Sequence, residues 1–286
     1  MKTAFILAFG LLFHFQISAQ ILNNYTESDS SRIDGLKLGI IGGVTLGAFT
    51  YVHAIQNHIW WKGEKSEFHF EWNNDWKYSL GADKVGHFFF SYAIADIYYQ
   101  TLKYSGIGHK DSRLYSTILS AAYQTYTEIK DGFSKKWGFS WGDFGANTLG
   151  TLYPLLQDQC DFFQNVNFKI SFEKSQRFEA GSHNYIFDDY ESTYHWMTIN
   201  LCNLFPDEYQ NFFTRFINLA VGHSVKGLDN SGRANHEFFI GIDWNIESLP
   251  GDSDILKLLK SIINKYHLPA PAVKVYPGII WYGLKF

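Results

Sequence analysis

Two periodicities divide the chain. From residue 34 to about 164, apolar residues come in helix-length runs; beyond about 165, short stretches alternate apolar and polar residues. The first run, Leu36 to Ile55, is broken only by glycines and by Lys37, Thr45, Thr50, His53 and a few small residues. Its length is close to what a bilayer-crossing helix needs. It fits either such a helix or a buried helix of a bundle, and Gly39, Gly43 and Gly47, four apart, would let a neighbouring helix approach. A second helix is predicted from about Ala82 to Tyr104. A third runs from about Leu114 to Lys130, with Gly132 as its stop. A fourth starts near Ser140 or Asp143, either of which can cap it, and Pro154 is placed to bend its far half. Between the first two helices, Trp60, Trp61, Phe68, Phe70, Trp72 and Trp76 form an aromatic loop. Such rings sit at head-group depth on a membrane or cover a bundle in a soluble protein.

The second half alternates with the strand period over Phe168–Phe172, residues 216–226, Met197–Leu201 and Phe238–Ile246. Val273–Val275 and Ile279–Phe286 end the chain in the same style. Asp229-Asn230-Ser231-Gly232 and Pro250-Gly251-Asp252 read as turns. Residues 253–267 carry an apolar stripe of Ile255, Leu258, Leu259, Ile262 and Ile263, the mark of an amphipathic helix. The expected fold class is therefore α+β. A helical domain of three to four helices, open to membrane association, spans 34–164, and a smaller antiparallel strand-rich lobe spans 165–286. The terminal Phe286 after an apolar run is barrel-like, but five or six strands fall short of the eight that a closed membrane barrel needs.

Composition narrows the setting. The chain has 286 residues, 19% of them aromatic, and a net charge of −4 without any basic block, which excludes nucleic acid as the expected partner. Residues 1–19 read as a secretory signal, with Lys2, an apolar run from Ala4 to Phe15, and cleavage after Ala19. Residues 20–33 form a polar leader. The mature protein is thus expected in the cell envelope. Export permits a disulfide between Cys160 and Cys202, and two lone thiols fit equally; their spacing matches no metal motif.

Polar residues inside the apolar helices supply the candidate chemistry, because ionisable groups there must be paired or used. They are Asp83, Lys84, His87, Glu128, Asp131, Ser134, Asp143 and Asn147, all near the ends of predicted helices. His87 is the candidate general acid or base, oriented by Glu128 or Asp131, with Asp143 completing the catalytic set. Asp83, Lys84, Ser134 and Asn147 are candidate ligand-binding residues. Asp83 and His87 lie four apart, on one face, as do Asp143 and Asn147. Oxygen and nitrogen donors of this kind suit a divalent metal, yet no spacing equals a known metal motif, so metal and cofactor stay unspecified. The bland alternative is a buried polar network that sets helix register, with Lys84 paired to Asp143 or Asp131 and Asp143 serving only as a cap. The remaining histidines, His195 and His223 among them, read as surface or satisfied core residues.

Asp83-Lys84-Val85-Gly86-His87, Glu128 with Asp131-Gly132-Phe133-Ser134, and Trp137-Gly138-Phe139-Ser140-Trp141-Gly142-Asp143 through Ala146-Asn147-Thr148-Leu149-Gly150 resemble the YfiM-like predicted periplasmic lipoproteins, in their Bacteroidetes-type long form. That family is a bacterial domain of unknown function, and the resemblance covers roughly residues 34–225. The order Asp-Lys-x-x-His, Glu, Asp-x-x-x-Asn-x-x-Gly is more distantly similar to VanZ-like membrane proteins, which are linked to glycopeptide resistance. The resemblance implies an envelope location and no particular reaction. The chain departs from the lipoprotein pattern, because no cysteine stands near the expected cleavage point. Three readings follow: a site that binds or processes an envelope lipid or glycan precursor, a non-catalytic structural or docking component of the outer membrane or periplasm, and a small outer-membrane barrel.

Overall fold

A computed structural model describes residues 32–228 and 232–286. The expected signal at 1–19, the leader up to residue 31, and Asp229, Asn230 and Ser231 of one expected turn lie outside the described residues. Four long helices come first: α1 Gly35–Ile59, α2 Ala82–Tyr104, α3 His109–Gly132 and α4 Trp141–Gln159. Six strands follow: β1 Val166–Phe172, β2 Thr193–Ile199, β3 Ile217–Lys226, β4 Asn235–Trp244, β5 Ala270–Tyr276 and β6 Ile280–Lys285. A helix α5, Asp254–Ile263, joins β4 to β5. The strands pair antiparallel in chain order, β1 to β6. This is the α+β fold that the two periodicities predict.

Local chemistry sets the helix ends. The Asp34 carboxylate accepts the backbone N–H groups of Leu36 and Lys37 and starts α1. Of the two caps that the sequence offers α4, the structure uses Ser140, whose hydroxyl oxygen accepts the Asp143 N–H at 2.8 Å. The same hydroxyl donates to Asp75, which also takes the Gly142 N–H. Helix α3 begins at His109, before the apolar pattern does. Its polar first turn is buried because Arg113 lies over the Tyr99 ring and 3.7 Å from Asp96. Both cysteines are unbonded.

The described residues pack as two units. The first comprises residues 32–75 and 90–155, the second 76–89, 156–228 and 232–286. In the first, α3 buries small hydroxyl residues. Ser116, Thr117 and Thr127 bond back to carbonyls three or four residues earlier, which satisfies them without a partner helix supplying polar groups. The aromatic loop is tied to the end of α3: Phe70 bridges to Phe139, and a Cβ on Gly132 would stand 2.3 Å from the Phe68 ring. Helix α1 is long and apolar enough to cross a membrane. Leu36, Ile40, Val44 and Leu46 on it are exposed. The glycine stripe expected to receive a neighbouring helix meets open space instead, since a Cβ on Gly39, Gly43 or Gly47 would have nothing within 4 Å among the described residues.

In the second unit the sheet buries its more polar face. Tyr194, Trp196, Ala220, Phe239 and Ala272 make the core. Gly222 gives the Trp196 ring its room, because a Cβ there would lie 2.6 Å from it. The same buried face carries a charge. Lys169 Nζ lies 2.7 Å from Asp243 Oδ2 and donates to the Asn264 side chain and the Trp244 carbonyl. Asp243 also takes the Asn218 amide at 3.0 Å and faces His267 Nδ1 at 2.9 Å. Burial lowers the Lys169 pKa, and Asp243 opposes that fall. On the other face, Phe238 and Ile240 are 41% and 48% exposed, as is Trp281 at 80%. Asp243→Ala would strand the Lys169 ammonium in the core and should destabilise the second unit by about 3–5 kcal/mol, read as a lowered urea midpoint. A loss below about 1 kcal/mol would show that Lys169 keeps no charge there.

Candidate functional site

Three consecutive residues in the left-handed region introduce α2: Ser79 at φ 46°, Leu80 at φ 55° and Gly81 at φ 77°. Two are not glycine, so the turn is strained, and strain of this kind collects at functional sites. It delivers Asp83 into the first turn of α2, where free N–H groups favour a carboxylate. Asp83 is buried, with Lys84 Nζ 3.0 Å from Oδ2 and His87 Nε2 3.6 Å from Oδ1. The Tyr190 hydroxyl donates to Oδ1. Burial alone would raise the Asp83 pKa, but His87, Lys84 and the Tyr190 hydroxyl together hold it below the ordinary carboxylate value.

Tyr190 is held by the turn that carries it. The Asp189 carboxylate accepts the Glu191 N–H and the hydroxyls of Ser175 and Ser192. The Tyr78 ring meets Tyr190 edge-on at 5.7 Å, and its hydroxyl pKa is pushed up to about 12, by burial first and then by Asp83 and Asp188. The His87 side chain keeps 22% of its surface exposed and so is reachable. Chemically this is an imidazole one turn from a carboxylate that stays ionised, an arrangement for moving a proton. Asp83 and His87 also present one oxygen and one nitrogen donor, two of the four ligands that a zinc site takes.

The same turns of α2 wall a cavity of about 200 Å³, partly open to the surface, against the outer face of β1 to β4. Phe88 stacks edge-on to Phe168 at 4.7 Å, and Val85, Met197, Val221 and Phe238 complete its apolar wall. His195 and His223 line it as well. His195 corrects the sequence reading of a surface or satisfied core residue: it is buried, and neither ring nitrogen has a hydrogen-bond partner among the described residues.

The first unit holds the other candidates. The Asn147 amide donates to Glu128 Oε1 at 3.1 Å, and its oxygen accepts the Ser91 hydroxyl at 2.9 Å. Ser120 donates to the Ser91 carbonyl and lies 3.1 Å from the Thr151 hydroxyl. The middle of α2, α3 and α4 are thereby joined through small polar groups. Asp131 accepts the Trp61 indole N–H at 2.7 Å. Ser134 is buried and bridges to Lys65. Asp143 is buried in the first turn of α4, over the Ser140 cap.

Sequence reasoning missed Tyr190, Tyr78 and the two cavity histidines. Tyr190 lies 107 residues from Asp83 and carries no local signal of its partner. His223 did carry one, since it lies within the alternating stretch 216–226; His195 stands just before the stretch Met197–Leu201, because β2 begins earlier, at Thr193. They are Cα partners across β2 and β3.

Residues 70–159 match the model of a family described as "Predicted periplasmic lipoprotein (DUF2279)". The match spans every candidate residue from Asp83 to Asn147, and it supports an exported, envelope location. The family description states no reaction. No curated protein and no solved structure matches the chain.

The sign of the Asp83 shift gives a prediction. A depressed carboxylate adds stability that is complete above its unfolded value of 3.8 and is lost as the pH falls through the folded value. Tyr190→Phe removes one hydrogen bond to that carboxylate, so it should cost about 1–3 kcal/mol at neutral pH and move the acid-unfolding midpoint upward. Circular dichroism along a pH titration reads both. An unmoved midpoint would show that Tyr190 gives Asp83 no support.

Proposed function

We propose that this exported envelope protein binds, and through His87 processes, an envelope lipid or glycan precursor at the start of α2. The observation that carries the reading is the reachable His87 imidazole beside a buried, ionised Asp83, on the helical turns that also wall an apolar cavity. Asp83 orients His87 and stabilises its protonated form. Lys84 and Tyr190 keep Asp83 charged, so it does not compete for the proton. Glu128, Asp131 and Asp143 remain catalytic candidates in this proposal, with Ser134 and Asn147 as binding residues. The order of the motifs, which resembles YfiM-like and VanZ-like proteins, supports an envelope substrate.

A specific observation favours a second, structural reading for part of the set. Asn147, Glu128, Ser91, Ser120 and Thr151 form a buried hydrogen-bonded chain that ties helix to helix, which is what register-setting polar glue looks like. We infer further that the protein lies against a membrane, the outer membrane by preference. Exposed apolar residues line α1, and Ile255, Leu259, Ile262 and Ile263 of α5 are each 40% or more exposed. A small barrel finds less support, since the described sheet has six strands in linear order.

The test is complementation. In a strain lacking the gene, His87→Gln should abolish rescue while the purified variant keeps its far-ultraviolet spectrum and melts within a few degrees of wild type. Asn147→Asp, by contrast, should lower the melting temperature. Full rescue by His87→Gln would end the acid–base reading and leave the structural one.

A further inference from the structure

We propose that the cavity between the start of α2 and the sheet binds an uncharged apolar molecule by its single hydroxyl group, which His195 receives. The inference deepens the function proposed above by naming the class of molecule, and it rests on that reading only for its biological setting.

His195 is 6% exposed, and neither Nδ1 nor Nε2 has a hydrogen-bond partner among the described residues. Leaving a buried polar group unpaired is costly, and a protein keeps such a group where something else completes it. The neighbouring His223, its Cα partner, shares a hydrogen bond between its Nε2 and His236 Nδ1 at 3.0 Å, and its own Nδ1 has no partner among the described residues. Two imidazoles with unused nitrogens therefore line one cavity whose other walls are mostly aromatic rings, aliphatic side chains and Met197; Lys169 lines it too, but its ammonium is held by Asp243, Asn264 and the Trp244 carbonyl. A Cβ on Gly86 would come within 3.7 Å of His195 Nε2, so the glycine brings the backbone of α2 close to that nitrogen without blocking it.

The ligand's chemistry follows from these walls. Burial, and then His223, hold His195 neutral, with its pKa lowered to about 3. A neutral imidazole offers one donor and one acceptor, and the tautomer decides which faces the cavity. A hydroxyl both donates and accepts, so it satisfies either tautomer. A carboxylate or phosphate would lose its hydration among aromatic and aliphatic groups, and the ammonium of Lys169 is already taken by Asp243. A metal ion would find imidazole nitrogens and no anionic ligand. In size, about 200 Å³ exceeds the roughly 150 Å³ that takes benzene. The cavity thus admits a ring, or the hydroxyl end of a lipid alcohol whose chain leaves through the open side.

The chain has only two methionines, and Met197 lines the cavity. Methyl-labelled methionine in the full chain, held in lipid nanodiscs, gives a signal for Met197 that reports this site. Benzyl alcohol, toluene and benzoate share a shape and differ in the polar group. At matched free concentrations, benzyl alcohol should shift the Met197 methyl saturably. It should bind at least about tenfold tighter than toluene or benzoate. His195→Phe, which fills the ring's place with an apolar one, should erase the preference for the alcohol. Val221→Phe should abolish the response to all three. Equal affinity for toluene and benzyl alcohol in the wild type, tighter binding of benzoate, or no saturable shift at all (a cavity that takes water only) would each overturn the proposal without any variant. A shift that survives Val221→Phe would place the binding elsewhere and overturn it too. The His87→Gln complementation stands apart: its rescue ends the acid–base reading alone, and absent benzyl alcohol binding ends this inference alone.

Discussion

A carboxylate taken out of water at the start of a helix has to be met by charge and by hydrogen-bond donors, or it takes a proton. Asp83 is met by Lys84, His87 and the Tyr190 hydroxyl. That requirement explains much of the second unit. Lys84 and His87 come from the same helix at spacings that the backbone dictates. Tyr190 has to be brought from far along the chain, and the Asp189 turn with Ser175 and Ser192 exists to hold it. The strained turn at Ser79 and Leu80 aims the helix start. Strain of a few kcal/mol is tolerable where paired charges over-determine the geometry.

The sheet solves a related problem with the opposite polarity from an ordinary soluble one. Its buried face carries Lys169, Asp243 and His267, each with a charged or stacked neighbour, while Phe238, Ile240 and Trp281 face outward. An apolar outer face is stable where the surroundings are themselves apolar, and it is an aggregation hazard otherwise. Together with the bare apolar face of α1, this gives the envelope location a physical meaning beyond an export signal.

Asp83 and the cavity are two consequences of one placement. The first turns of α2 belong with the strands, because Phe88 packs on Phe168 and Val85 lines the cavity with β3 and β4 residues. A reachable imidazole and an apolar cleft with unsatisfied imidazoles then stand on one helical segment. Either alone is common in proteins; their shared origin in residues 83–89 is what makes them worth reading as one device.

How much of this was legible beforehand depends on range. Helix and strand existence, the α+β order, and the i to i+4 pairing of Asp83 with His87 follow from periodicity, because backbone geometry turns sequence spacing directly into direction. So does the amphipathic helix after Ser253, whose hydroxyl caps it. Which of two caps starts α4 did not follow, since Ser140 wins only because Asp75 orients it from 65 residues away. Nor did the inward polar face of the sheet: alternation says that two faces differ, and only packing says which one is covered. The sequence by itself determined the elements, their order and the local pairs of charges. The tertiary structure alone decided the Tyr190 clamp on Asp83, the Glu128–Asn147 link and the cavity at His195, because each depends on groups that meet only when distant strands and helices have closed on one another.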